Sequence, residues 1–297
     1  MTTAENIKRL AHTNGVMFDI DGCLVISDGP AGQDGRVLEG AAEAIEYMKS
    51  SGRKYCVYTN GTAQKPTDIA EHLRSMGINV PDELVLTPAV VAAEVIKDTY
   101  GDKPIMLFGG EGMLHDFKKR GVNLVDIEAA IKGSKPDVAA VVVGWDTDFG
   151  KNKIQIAAEA ILAGADLYCT SFSPAFASKD RLNVGVSGFI TAGLLFVTET
   201  TKFEILGKPS QHSMNIISRV LDVPIPEILV IGDDIILEAS MARKAGAFAG
   251  VVLTGTSKQK DVDAASADVA PELVIQSMTE FVDLFTQADA QYRQTAN

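Results

Sequence analysis

The stretch GVMFDIDGCL, at residues 15–24, decides the fold prediction. Its first part is a short apolar run that ends abruptly in acids, as a buried parallel strand does at its functional end. Because residues i and i+2 of an extended chain point to the same side, Asp19 and Asp21 are predicted to converge. Two converging carboxylates indicate a bound cation or a shared proton. A turn with solvated acids explains this stretch equally well when it is taken alone.

Alternating strands and helices flank this stretch. The apolar runs at residues 54–60 (KYCVYTN), 227–233 (EILVIGD) and 247–255 (AFAGVVLTG) predict strands, and the spacing at residues 40–50, 66–76 and 238–244 predicts helices. Pro66 is predicted to open its helix, and Ser210 to cap another of about ten residues. Repeated strand–helix units predict an α/β fold, with a doubly wound parallel sheet that has helices on both faces.

A second α/β module interrupts this pattern. Strands are predicted at residues 105–109, 138–144 and 166–170, and helices at 153–162 and 189–197. We therefore predict an inserted domain at 81–202 and a sheet domain formed by 1–80 and 203–297. Two domains agree with a length of 297 residues at about 150 residues per domain. The polar tail after Gln287 is predicted to fray.

Composition excludes several classes of function. The chain is 46% hydrophobic and 22% charged, as a globular protein is, and its net charge is −12. An acidic chain offers no basic surface for nucleic acid or for an anionic membrane. No apolar run approaches the ~20 residues that span a bilayer, and the N-terminus has no secretory pattern. Three widely separated cysteines fit a reducing compartment, so a cytoplasmic location is predicted.

Further polar residues follow other predicted strands or precede a helix. They are Thr59, Asn60 and Gly61 in TNG, Lys208 in GKP, Asp233 and Asp234 in GDD, and Glu238 a few residues later. Each motif taken singly is typical of a surface turn or a solvated cap. A hydroxyl, an amide, a backbone N–H and a lysine suit phosphoryl oxygens. Their order and their placement together favour phosphate chemistry over the alternative of solvated surface groups.

In this order, the motifs DIDGCL, YTNGT, GKPS and VIGDD resemble the four motifs of the haloacid dehalogenase (HAD) superfamily of phosphohydrolases. The insertion between TNG and GKP is similar to class IIA, the NagD-like and 4-nitrophenylphosphatase-like branch. VVVGWD at 141–146 and VVLTGT at 251–256 resemble the cap and core signatures of that branch. The resemblance implies a HAD-like Rossmannoid core with an α/β cap domain that selects the substrate.

The resemblance also implies catalytic roles. Asp19 is expected to attack phosphorus and form an aspartyl-phosphate that water later hydrolyses. Asp21 is expected to protonate the leaving alcohol and then to activate that water. Lys208 is expected to offset the charge of Asp19 and of the phosphate. An acid at position 21 favours phosphate chemistry over dehalogenation, because only an oxygen leaving group requires the proton.

A phosphate-binding set and a metal-binding set follow from the same resemblance. The phosphoryl oxygens are expected to bind Thr59 and the N–H of Gly61, with Asn60 beside them and Lys208 nearby. Mg²⁺ is the expected cofactor, held by Asp19, the backbone carbonyl of Asp21, and Asp233, since Mg²⁺ prefers a few oxygen ligands plus waters.

The sequence departs from the family pattern in two places. The fourth motif has Asp234 where an arginine is common, and Glu238 where a second aspartate often lies. Glu238 is expected to reach a metal-bound water, and Asp234 lies either beside the metal ligands or on the surface. The cap loop at 170–174 is TSFSP in place of the family's Thr-Asn-x-Asp. The substrate contacts considered for this loop are Ser171, Phe172, Lys179 and Arg181, each of which is more often a plain loop residue. The single tryptophan, Trp145, is expected either to contact the substrate or, equally, to pack within the cap.

The resemblance as a whole implies a Mg²⁺-dependent phosphatase that hydrolyses small phosphomonoesters. Two alternatives stay open: a phosphotransferase or mutase of the same fold, and a non-catalytic protein that binds a phosphorylated metabolite. The implied partners are a small phosphorylated metabolite and, through the cap, a second copy of the chain.

Overall fold

The computed structural model describes residues 3–26, 35–176 and 183–293. The strands in chain order are β1 (Gly15–Phe18), β2 (Val25–Ile26), β3 (Arg36–Val37), β4 (Lys54–Tyr58), β5 (Val85–Leu86), β6 (Ile105–Phe108), β7 (Ala140–Val143), β8 (Asp166–Cys169), β9 (Ala175–Phe176), β10 (Asn183–Val184), β11 (Glu204–Ile205), β12 (Ile228–Gly232), β13 (Phe248–Val252) and β14 (Leu273–Ile275). The helices are α1 (Ala4–Ala11), α2 (Ala41–Ser50), α3 (Pro66–Ser75), α4 (Pro88–Tyr100), α5 (Glu111–Lys119), α6 (Ile127–Ile131), α7 (Lys151–Leu162), α8 (Val186–Thr198), α9 (Gln211–Leu221), α10 (Ser240–Ala245), α11 (Gln259–Asp263) and α12 (Met278–Ala288). The described residues also form two π-helical turns, Ile235–Ala239 and Asp289–Arg293, and two 3-10 turns, Asp82–Leu84 and Ile225–Glu227.

The chain divides into two compact units. The first contains Met1–Thr59, Pro66–Leu86 and Pro209–Asn297, and the second contains Asn60–Lys65 and Thr87–Lys208. Relative to the predicted insertion at 81–202, both boundaries lie a few residues further along the chain. The reason is the pairing of two short strands: β5 pairs with β4 in the first unit, and β11 pairs with β8 in the second.

The first unit is built on a parallel sheet in the order β14-β13-β12-β1-β4-β5. β1 is central, and the chain winds outward from it in both directions, through β4 and β5 on one side and β12 to β14 on the other. The predicted doubly wound parallel sheet is therefore confirmed. In such a sheet the reversal of strand order opens a crevice at the carboxyl ends, here between β1 and its neighbours.

Helices cover both faces of this sheet. Val16 and Phe18 of β1 are buried with residues of α1, α2, α3 and α12, and the Phe18 and Phe281 rings lie 5.2 Å apart. On the opposite face, the hydroxyl of Tyr58 forms a 2.8 Å hydrogen bond with Oγ of Ser213 in α9. The predicted cap of α9 is also confirmed, since Oγ of Ser210 accepts from the Ser213 N–H.

The second unit has a parallel sheet of its own, in the order β11-β8-β7-β6. One apolar cluster joins α4 and α5 to alternate sheet residues such as Leu107 and Val142, and another joins α6, α7 and α8 to Phe108 and Val143. This alternation places helices on both faces. The strands and helices predicted in this part of the chain are all present, with shifts of a few residues at their ends.

The C-terminal segment is fixed along its described length. α12 continues to Ala288, and the π-helical turn Asp289–Arg293 follows it. The guanidinium of Arg53, whose side chain is fully buried, binds both carboxylate oxygens of Asp289 and lies over the ring of Phe285. The prediction of a frayed tail after Gln287 was therefore wrong up to Arg293. In the ranges that the structure describes, no helix combines the length and the apolar character that crossing a bilayer requires.

Candidate active site

Three candidate residues directly follow the ends of three neighbouring strands of the first sheet. Asp19 follows β1, Thr59 follows β4 and Asp233 follows β12. The register pairs Phe18 with Val57 and with Ile231, so β4 and β12 each extend one residue beyond the end of β1. All three residues are buried, and the Asp19 N–H extends the ladder by donating to the Ile231 carbonyl at 2.9 Å. Parallel pairing thus brings Asp19, Thr59 and Asp233 to one edge of the sheet, as the sequence predicted.

A tight turn follows Asp19 and sets the position of Asp21. The Gly22 N–H donates to the carbonyl of Val25 at 2.7 Å, and Gly22 has a φ of +82°. That conformation favours glycine. The Thr254 hydroxyl donates to the Gly22 carbonyl at 2.6 Å, which ties the turn to the loop after β13. Asp21 is half-buried at the start of this turn.

The Asp233 carboxylate lies in a cradle of backbone. The Oδ2 atom of Asp233 accepts a hydrogen bond from the Thr256 N–H, and the main-chain carbonyl of Asp233 accepts one from the Ser257 N–H at 2.9 Å. A Cβ added to Gly22 or to Gly255 would collide with the same Oδ2. Both glycines are therefore required for the carboxylate to lie here. Asp233 is held between the turn that carries Asp21 and the loop after β13.

The donor set fits a magnesium ion. Asp19 and Asp233 supply two carboxylates at one strand edge, and the backbone of the Asp21–Gly22 turn adjoins Asp233. Across the residues that the structure describes, no group of three or more histidine, cysteine, aspartate or glutamate side chains is placed to hold a metal. Mg²⁺ keeps several waters and needs only one or two carboxylates. The two buried carboxylates at this edge meet that requirement.

The unusual fourth motif adopts an unusual conformation. Residues Ile235–Ala239 form a π-helical turn, and Oδ1 of Asp234 caps it by accepting from the Ile236 N–H at 2.7 Å. Glu238 is buried, and its Oε2 accepts from the Asp234 N–H at 3.2 Å. A Cβ on Gly232 would lie 2.7 Å from that carboxylate oxygen. Glu238 is thus packed against the backbone that carries Asp233, and Asp234 is a half-buried cap.

The remaining phosphate-binding candidates belong to the second unit. Lys208 is buried after β11, and a Cβ on the preceding Gly207 would collide with the carbonyl of Thr170. Asn60 and Gly61 lie in the segment Asn60–Lys65. Among the residues that the structure describes, neither side-chain amide atom of Asn60 has a hydrogen-bond partner, although both atoms are buried.

The candidate substrate contacts of the inserted domain are placed unevenly. Ser171 is buried, whereas Phe172 is 38% exposed and its ring lies 4.7 Å from that of Phe203. Trp145 is half-buried, and its backbone N–H donates to Oγ1 of Thr62 at 3.4 Å. Lys179 and Arg181 lie outside the described residues.

Sequence reasoning missed several residues that shape the site. Gly255, Thr256 and Ser257 hold Asp233, but they were assigned no role. The signal was present in VVLTGT, because polar residues with a glycine at the end of a parallel strand resemble the other site motifs.

Comparison with known proteins identifies two family profiles. The family model described as "Haloacid dehalogenase-like hydrolase" matches residues 16–123, and the family model described as "HAD-hydrolase-like" matches residues 205–281. Together they include the residues at the ends of β1, β4 and β12.

Individual relatives match along most of the chain. The 5'-nucleotidase YutF of Bacillus subtilis is 27% identical over 262 residues, which cover 88% of this chain and 97% of that protein. A hypothetical protein of Pyrococcus horikoshii has a similar structure, with a TM-score of 0.81, 28% identity, and coverage of 91% of this chain and 98% of its own. A 4-nitrophenylphosphatase from Thermotoga maritima has a TM-score of 0.81 and 25% identity, and the coverage is 93% and 98%.

Proposed function

This chain belongs to the haloacid dehalogenase-like hydrolases, and from that premise we propose that it hydrolyses small phosphomonoesters with the help of Mg²⁺. The predicted family, its class IIA branch and the phosphatase type of the enzyme are confirmed by the profiles and relatives. The observation that carries the proposal is the alignment of Asp19, Thr59 and Asp233 at the ends of three adjacent parallel strands. This edge of the sheet is where ligands bind in such folds.

Asp19 is the proposed nucleophile. One of its oxygens forms a bond to phosphorus while the bond from phosphorus to the leaving oxygen breaks, and Asp21 gives that oxygen a proton. Asp21 then takes a proton from a water molecule as the water attacks phosphorus. The bond to Asp19 breaks in this second step, and inorganic phosphate is released.

The other residues bind and neutralise charge. Thr59, Asn60 and Gly61 are proposed to bind phosphoryl oxygens, and Lys208 to offset their charge. Asp19, the Asp21 carbonyl and Asp233 are proposed to hold Mg²⁺, which when bound stabilises negative charge on the phosphoryl group. We assign to Asp234 and Glu238 the support of this metal site through the backbone of the loop that carries Asp233.

The substrate is proposed to be a small metabolite, and the inserted unit is proposed to select it. The names of two relatives, a 5'-nucleotidase and a 4-nitrophenylphosphatase, describe small phosphomonoesters. The acidic chain, with a net charge of −12, opposes binding to nucleic acid. The three cysteines are buried and form no disulfide bond with one another, which fits a reducing compartment such as the cytoplasm.

Two copies of the chain are proposed to pair through α8. Phe189 and Phe196 of this helix are 73% and 86% exposed, and Val197 beside them is exposed as well. α8 carries no charged residue, so two chains of net charge −12 can approach there with the least repulsion. The two rings expose about 300 Å² of apolar surface, a substantial part of the ~800 Å² that one partner contributes to a stable interface.

Release of inorganic phosphate tests the function. Wild type is assayed on 4-nitrophenyl phosphate and a panel of small phosphomonoesters, with Mg²⁺ and with a chelator, beside Asp19→Asn. We expect metal-dependent release that falls by a factor of 10³ or more in the variant. Asp283→Asn, a change of an exposed carboxylate on α12, is the control and retains activity. Transfer of phosphate to an added sugar in place of release would indicate a phosphotransferase or mutase. Binding of phosphate without turnover would indicate a non-catalytic protein.

A further inference from the structure

The segment Asn60–Lys65 belongs to the second unit, although it connects β4 to α3 of the first. Two contacts hold it there. Thr62 is buried, and its Oγ1 accepts the Trp145 N–H at 3.4 Å, just after β7. The second contact is with α5, where the backbone of the segment lies against Gly112.

Gly112 makes the second contact feasible. A Cβ at this position would lie 2.6 Å from the carbonyl oxygen of Gln64 and 3.0 Å from that of Thr62. Both atoms are backbone, so the segment itself would have to move. A glycine inside a helix costs about 0.5–1 kcal/mol relative to alanine. That cost is consistent with a requirement for close packing at this position.

The segment carries a side chain whose capacity for hydrogen bonds is unused. Within the described part of the chain, both polar atoms of the Asn60 amide are buried and unpartnered. A buried polar group without a hydrogen bond costs about 1–3 kcal/mol. A ligand with acceptor oxygens, such as a phosphoryl group, would satisfy the amide N–H.

We propose that Thr62 and Gly112 are positioning residues that hold Asn60 in place for the phosphoryl group. The inference rests on the proposed function and extends it. Thr62 and Gly112 then influence the affinity for the phosphoryl group that all substrates share.

Substitution of Gly112 tests this inference. Gly112→Ala should raise the KM for 4-nitrophenyl phosphate and the inhibition constant of inorganic phosphate by about tenfold, with kcat changed less than threefold. Gly110→Ala is the matched control, because a Cβ there would lie 3.5 Å from the Trp145 carbonyl oxygen, at ordinary contact distance. It should leave both constants unchanged.

A second pair of variants separates positioning from folding. Thr62→Val keeps the shape but removes the acceptor of the Trp145 N–H, and Thr62→Ser keeps the acceptor. We expect weaker phosphate binding in the valine variant and recovery in the serine variant, with thermal melting as the check on folding. Phosphate constants within twofold of wild type in both Gly112→Ala and Thr62→Val would overturn the inference.

Calorimetric titration with inorganic phosphate distinguishes failure of the inference from failure of the proposed function, because it requires no turnover. Wild type that binds phosphate but hydrolyses nothing refutes the proposed function, and the variants then decide the inference by their affinities alone. Wild type that binds no phosphate overturns both.

Discussion

Asp116 should make the stability of the second unit depend on pH. It lies on the buried face of α5 and is 6% exposed, and its Oδ2 has no hydrogen-bond partner among the described residues. Burial raises the pKa of this carboxyl to about 6, against a smaller opposing effect of Lys119. An aspartate in an unfolded chain has a pKa of about 3.9. Between these two values the folded state binds more protons than the unfolded state does.

The direction and the magnitude of the change in stability with pH follow from this difference in pKa. Stability falls with rising pH wherever the native state binds more protons, so the loss begins near pH 4 and is complete above about pH 6. A difference of about two pH units corresponds to about 3 kcal/mol. Asp116→Asn removes this titration. We therefore expect the free energy of unfolding of wild type, relative to that of the variant, to decrease by about 2 kcal/mol from pH 4 to pH 7, because an unfolded-state pKa of about 3.9 leaves the first part of the loss at and below pH 4.

The single tryptophan provides the assay. Trp145 lies in the second unit, so its fluorescence during urea unfolding reports on the unit that contains Asp116. Exposed Asp137→Asn, in the same unit, controls for the loss of a carboxylate from the surface. If the free energies of unfolding of wild type and Asp116→Asn differ by a constant amount across this pH range, the reasoning is refuted.

Three further outcomes are expected. Asp289→Ala leaves the guanidinium of Arg53 buried without its carboxylate and should lower the free energy of unfolding by about 3–5 kcal/mol, measured by chemical denaturation followed by circular dichroism; an effect below about 1 kcal/mol would contradict this. Gly232→Ala forces the Glu238 side chain away and should weaken Mg²⁺ binding in calorimetric titration about tenfold; unchanged affinity would separate Glu238 from the metal site. Phe196→Glu should convert dimers into monomers in light scattering, and the dimer proposal fails if wild type is already a monomer.

Local patterns in the sequence predicted the strands that carry the candidate residues, but not the helices α1, α4, α5 and α12. β1 and β12 are short apolar runs that end in acids, and Pro66 and Ser210 mark helix starts through their own chemistry. β5 and β11 were not predicted, because two-residue strands carry no periodicity and are defined by their pairing partners. The tail was predicted wrongly because the position of Asp289 is fixed by its ion pair with Arg53, which is far away in sequence.

The candidate residues were predictable in part for the same reason. Asp19, Thr59 and Asp233 follow apolar strands, so their common edge could be inferred from strand order. The role of Gly112 could not be predicted, because a glycine in a helix only indicates lower helix stability until the carbonyl groups that lie against it are known. The π-helical turn after Asp234 was likewise hidden, since the spacing at 238–244 predicts an ordinary helix.

The central position of β1 constrains the order in which the chain can fold. One neighbour of β1 is β4, made soon after it, but the other is β12, which pairs Gly15 with Ile228. During synthesis one edge of β1 therefore stays unpaired while more than two hundred further residues are added to the chain. The second unit, whose strands are contiguous in the chain, can complete its sheet meanwhile. Contacts between distant residues form slowly, and open strand edges favour aggregation. Truncation before β12 would thus leave β1 with an unpaired edge and the first sheet without β12, β13 and β14.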